Sequence, residues 1–324
     1  MPKIRELQKK AISGKGVSYG EAKWLLGRND DETLEFISAA NEIRRHFKGN
    51  KIKLCSIVNA KSGRCPEDCS YCAQSSRHKA KIDIYPLMSA DEMHKKAKKA
   101  KNEGAAYFSI VTSGKGISSQ KEMDEVCMAL KKIGDVNIKR CASLGILNKD
   151  QLKKLKASGL KKFHHNLETS KSHFGKICTT HKYEDRIATI KAAKESGLSV
   201  CSGGIFGLGE SLEQRVEFAF TIKELDPDSI PINFLDPIKG TKLEKNRILE
   251  PLEALRIIAM FRFVIPEKDI VICGGREVTL RSLQPLMFSA GANMTMLGNY
   301  LTTAGNKPED DIKMIADLGL EVSR

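Results

Sequence analysis

The chain has 324 residues, enough for one large or two ordinary domains, and its 41% hydrophobic and 29% charged residues exclude extensive disorder. It carries 54 Lys+Arg against 40 Asp+Glu, a net charge of +14, but no aromatics interleave with the densest basic run, His94 to Lys101, which reads as a solvated helix face. No apolar run reaches the roughly 18 residues of a membrane span, and MPKIRELQKK lacks the apolar stretch of a secretory signal, so a cytoplasmic protein without membrane or nucleic-acid partners is expected.

In chain order, residues 1–50 read as a polar helical extension. From residue 51 to 324, short β-branched runs alternate with amphipathic stretches, the signature of a parallel sheet. Strands are predicted at 51–59, 106–112, 136–143, 162–168, 198–205, 229–234, 269–274 and 293–297. Between them, Ser89 with Glu92 and Ser211 with Gln214 match the capping box that starts a helix, and Gly104, Gly159 and Gly197 mark helix ends. Eight such units predict a (β/α)8 TIM-type barrel with an N-terminal helical extension; a doubly wound open sheet is the alternative. One long strand-free insertion, residues 63–88, follows the first strand, where function is expected.

Nine cysteines without a secretory signal point to metal or redox chemistry rather than disulfides. Cys65, Cys69 and Cys72 stand in that insertion as CxxxCxxC, with Tyr71 before the last. Three thiolates can hold three irons of a cubane and leave the fourth iron open to a small molecule. A zinc knuckle is the competing reading, but it needs four protein ligands, and His78 is the nearest further candidate. A basic iron-sulfur or zinc protein that binds nucleic acid is a third reading, set by the +14 charge.

The CxxxCxxC spacing resembles the signature of the radical S-adenosylmethionine superfamily. NAKSGRCPEDCSYCAQSS (59–76), HHNLETS (164–170), VCSGGIFGLGE (200–210), PINF (231–234), GGRE (274–277) and LTTAGN (301–306) together resemble the biotin synthase family. That resemblance implies a dimeric barrel that inserts sulfur into dethiobiotin, with a 4Fe-4S cluster on Cys65, Cys69 and Cys72 cleaving S-adenosylmethionine. It also implies a flavodoxin or ferredoxin as electron donor and iron-sulfur assembly machinery as partners. Related radical barrels of the methylornithine synthase or hydrogenase-maturase type are the alternative.

His164, Asn166 and Glu168 alternate along the predicted fourth strand and so share a face. By resemblance, Asn166, Glu168, Arg186 and Tyr71 hold the cofactor, and the backbone at Ile205, in the GxIxGxxE pattern, faces adenine. The same resemblance gives His164, Asn166, Asn233, Thr302 and Thr303 as substrate contacts, although family members often have Asn where His164 stands. A phosphate cradle is the other reading of the glycine-rich turn, but it lacks the usual phosphate-loop spacings.

The family also carries an auxiliary cluster on three cysteines and an arginine. Here Cys141 and Cys201 match two of those ligands, whereas Ser109 and Val271 stand at the others. Cys273, two residues beyond Val271 and so on its face, and Cys55 on the first strand complete a possible ring with Cys141 and Cys201. Alternate strands supply one layer of such a barrel, so this ring predicts an all-cysteine auxiliary iron-sulfur cluster, four-iron rather than two-iron. Cys127 and Cys178 are expected to be packing residues.

Overall fold

Ten short strands, all paired in parallel, enclose the centre of the computed structural model, which describes residues 2–323. They are β1 (Lys51–Lys61), β2 (Tyr107–Thr112), β3 (Lys139–Ser143), β4 (Lys162–His164), β5 (Ser199–Cys201), β6 (Gly204–Phe206), β7 (Ser229–Phe234), β8 (Asp269–Ile272), β9 (Met294–Met296) and β10 (Glu321–Ser323). Pairing runs from β1 through β5 to β7, β8 and β9, and β9 returns to β1 through Leu54 opposite Thr295. β5 and β6 both pair with β7 and occupy one strand position, so the sheet closes with eight. An open doubly wound sheet would leave two edges; closure removes it from consideration. β10 was not expected from the sequence and extends the sheet beside Lys51 to Lys53.

The broken fifth strand has a steric cause. A Cβ on Gly203 would lie 2.0 Å from the Pro231 carbonyl oxygen, and one on Gly204 would lie 2.3 Å from the Glu168 carbonyl oxygen. Neighbouring backbones therefore press into the strand where side chains would otherwise stand. β4 ends early for a related reason: Glu168 turns to φ +73, and its carbonyl accepts from Ile205 N at 2.8 Å while Leu167 N donates to Gly203 O at 2.9 Å. β3 starts three residues later than predicted because a 3-10 turn, Ile133–Asp135, precedes it. Gly203→Ala is expected to cost at least about 2 kcal/mol, since the Pro231 backbone cannot move aside as a side chain can; chemical denaturation of the purified chain checks this.

Helices cover the outside of the barrel. The capping boxes at Ser89 and Ser211 are formed as expected. Helix Ala90–Asn102 buries Met93, Ala97 and Ala100 and turns its lysines outward. The extension forms α1 (Pro2–Ile12), α2 (Tyr19–Leu26) and α3 (Asp30–Lys48), which pack on helix Pro251–Val264. Sandwiched there, that helix is buried along most of its length, with Phe263 5.2 Å from the Phe36 ring. No helix among the described residues is long and apolar enough to cross a membrane.

Candidate active site

The barrel opens into a cavity of about 420 Å³ lined from the insertion after β1, from the strand interiors and from the loop at 300–303. Cys65, Cys69 and Cys72 all face it. Their loop is shaped by its own backbone: Cys65 N donates to Gln74 O at 3.0 Å, and Cys72 N donates to Cys69 O at 2.9 Å. A second segment then anchors it, because Ser70 N donates to Ile177 O at 2.9 Å and Asp68 accepts from Thr179 N at 2.9 Å. These bonds to Thr179 and Thr180 hold the Asp68 carboxyl below the usual carboxylate range although burial opposes them. Burial pushes the Cys72 thiol up to about 11 and also raises Cys65. Three thiols opening together into one cavity fit a soft iron-sulfur centre better than an oxygen-loving cation. His78, the sequence's candidate for a fourth zinc ligand, instead turns Nδ1 to the Cys72 carbonyl at 2.9 Å and does not line the cavity.

Beside the loop, Arg186 reaches in from helix Tyr183–Glu195. Its Nη1 donates to Asn166 O at 2.8 Å and to Glu168 Oε1 at 3.3 Å. Asn166 in turn donates to Glu168 Oε2 at 3.4 Å and accepts from Gly203 N at 3.3 Å. Asn166, Glu168 and Arg186 are thus brought together at the cavity wall even though the β ladder ends at His164; His165 lines the cavity as well, and of residues 164–168 Leu167 alone does not. Tyr71 and Ile205 line the same wall. The glycine-rich turn offers little to a phosphate, since Gly207 N already donates to the Glu210 carboxylate at 3.0 Å.

His164 lies deeper, with Nδ1 3.4 Å from Ser109 Oγ. Burial, aided by the charge of Lys162, pulls its pKa down to about 3 and keeps the ring neutral. Asn233 donates to Gly204 O at 3.1 Å and accepts from Gly274 N at 3.1 Å, which fixes its amide at the cavity wall. Thr302 and Thr303 stand half-buried at the rim.

Cys55 sits six residues before the end of β1, about 20 Å along the strand from Lys61, after which the insertion begins. Cys55, Cys201 and Cys273 line the cavity, and Cys141 packs behind them in one cluster with Cys55 and Cys273. Cys273 follows β8 rather than lying in it, held by its N–H on Ile232 O at 3.0 Å. All four are buried free thiols, raised by burial, and their soft donor set fits an iron-sulfur group. All nine cysteines are free.

Cys127 packs in helix Gln120–Lys132 as expected. Cys178 does more than pack: its Sγ lies 3.3 Å from His181 Nδ1 and 3.5 Å from Thr180 Oγ1, and the three groups Cys69, Cys178 and His181 fall within ligating reach of one ion. Arg186 argues against ligation by that imidazole. Its Nε–H donates to His181 Nε2 at 2.9 Å, which leaves the ring proton on Nδ1, facing Glu67 and Cys178. Sequence alone missed this grouping; its one signal was the CTTH spacing three residues apart.

Residues 60–222 match the family model for the radical SAM superfamily, and residues 231–321 match the biotin and thiamin synthesis associated domain. Biotin synthase of Pelotomaculum thermopropionicum is 51% identical over 98% of this chain and 99% of the relative. The chain belongs to the biotin synthase family. Biotin synthase of Geotalea daltonii is similar too, at 47% identity over 99% of this chain and 98% of the relative. Among solved structures, a methylornithine synthase superposes with a TM-score of 0.86 at 20% identity, covering 98% of this chain and 97% of its own. An FeFe-hydrogenase maturase gives 0.85 at 17%, covering 99% and 75%. At those identities they share the barrel fold, while the near full-length relatives decide the family.

Proposed function

We propose that this chain forms biotin from dethiobiotin by radical sulfur insertion, using S-adenosylmethionine and two iron-sulfur groups. The observation that carries the reading is one cavity shared by two separate thiol sets, Cys65, Cys69 and Cys72 in the loop and Cys55, Cys201 and Cys273 in the barrel interior, with Cys141 behind. When bound, a four-iron group on the loop thiols supplies the electron that cleaves S-adenosylmethionine to methionine and a 5′-deoxyadenosyl radical, able to take hydrogen from unactivated carbon. The interior thiols would hold the sulfur-donating group, four-iron rather than two-iron.

The chain's own residues orient and enclose. Arg186 pairs with the methionyl carboxylate, and Glu168 and Asn166 bind the amino and ribose groups, roles supported by their mutual hydrogen bonds at the cavity wall. Tyr71 and the Ile205 backbone flank the adenosine. Asn233 presents its fixed amide to the ureido ring, His164 and Asn166 contact the substrate nearby, and Thr302 and Thr303 meet its carboxylate at the rim. His164, kept neutral, acts as a hydrogen-bonding group and not as an acid. A flavodoxin or ferredoxin donor, iron-sulfur assembly machinery, a homodimer and a cytoplasmic setting accompany this reading through the family resemblance.

The test is mass spectrometry after anaerobic reconstitution with iron and sulfide, in the presence of S-adenosylmethionine, a strong reductant and dethiobiotin. Biotin together with 5′-deoxyadenosine supports the proposal. Deoxyadenosine without biotin, from protein with both groups filled, rejects sulfur insertion but retains the radical step.

A further inference from the structure

β4 begins with a buried lysine. Lys162 is 9% exposed, and burying an ammonium costs several kcal/mol unless an anion accompanies it. Its Nζ donates to the neutral Ser229 Oγ at 3.0 Å and lies 5.0 Å from the centre of the Tyr107 ring. Other buried cations of the chain are compensated at short range: Arg276 pairs with Asp311 at 2.6 Å, Arg215 pairs with Glu210 at 2.8 Å, and Arg262 is wrapped by the carbonyls of Gly291, Pro266 and Lys268. Asp269, whose field reaches Lys162, is itself held by Lys48 at 3.0 Å and Lys53 at 2.6 Å.

Sulfur surrounds this ammonium. In the barrel register Lys162 is opposite Cys141, its partner Ser229 is opposite Cys201, and Tyr107 is opposite Cys55. Its charge acts on all three thiols. A centre ligated by thiolates alone carries net negative charge, the anion that Lys162 lacks. We propose that Lys162 is the counter-cation of the auxiliary cluster, a positioning residue that helps retain the cluster and raises its reduction potential. This inference rests on the four-cysteine reading above. A nearby cation favours the more negative, reduced state, so its removal must move the potential downward.

The test compares anaerobically reconstituted full-length wild type, Lys162→Met and Lys162→Arg by iron and acid-labile sulfide content and by a redox titration followed by electron paramagnetic resonance. The expected result is that Lys162→Met either loses the second cluster's iron and sulfide or keeps them with a lower potential than wild type. Lys162→Arg restores both, and the signal of the loop cluster is unchanged throughout. Wild-type content and potential in Lys162→Met would overturn the inference. Loss of both clusters in that variant would also overturn it, because it marks a structural role. Wild-type metal content in Cys273→Ala is a separate failure, that of the four-cysteine reading itself.

Discussion

Cys273→Ala is expected to leave deoxyadenosine formation running while biotin disappears. Cys273 lines the cavity just after β8 and clusters with Cys55 and Cys141 in the barrel interior rather than with the loop thiols, so its removal takes one ligand from the interior group and none from the loop. Residues behind a metal ligand are commonly worth about 10–100-fold in affinity or activity, so loss of a ligand itself should reduce biotin by at least about 100-fold. Iron and sulfide should fall together, while loss of one buried sulfur atom costs the fold on the order of 1 kcal/mol. Parallel measurement of iron, biotin and deoxyadenosine decides it. A variant with unchanged metal content would show that Cys273 is a packing residue.

Cys72→Ala should give the complementary loss. Both products vanish, because a three-thiol site has no spare ligand, and the interior group's share of the iron stays. Cys72 is the informative position: Cys69 lies beside Cys178 and His181, so its replacement would disturb a second set of contacts. Chromatography of deoxyadenosine with iron analysis reads both arms. Continued cleavage at wild-type rate would remove Cys72 from the cluster, whereas loss of all iron would mean that the two groups assemble dependently.

Much of this was legible in the sequence because the signals are local. The CxxxCxxC spacing, the alternation of strands and helices, and the capping boxes at Ser89 and Ser211 each depend on residues a few positions apart. Alternation also picked out His164, Asn166 and Glu168, which all line the cavity, although the ladder there ends at His164 and His165 lines it as well. Sequence patterning failed where distant backbones meet. The break between β5 and β6 comes from the Pro231 carbonyl pressing on Gly203, and the short β4 from the turn of Glu168 toward Gly204.

Cys178 and Lys162 show the same division. Cys178 looked like a packing residue because its partners, Cys69 and His181, become a group only when the loop at 65–76 docks on residues 177–181. Lys162 looked like an ordinary strand residue because nothing in its neighbourhood of the chain says that its ammonium will lack a carboxylate. The sequence by itself determined the alternation of strands and helices, the spacing of the loop thiols and the motifs that resemble the family, since periodicity and motif spacing act within a few residues. Only the tertiary structure decided that Cys55, Cys201 and Cys273 open into one cavity, that Cys141 lies behind them, and that a cation is buried among them. Barrel closure and strand register join residues up to more than a hundred positions apart, and the cost of burying a charge depends on those neighbours alone.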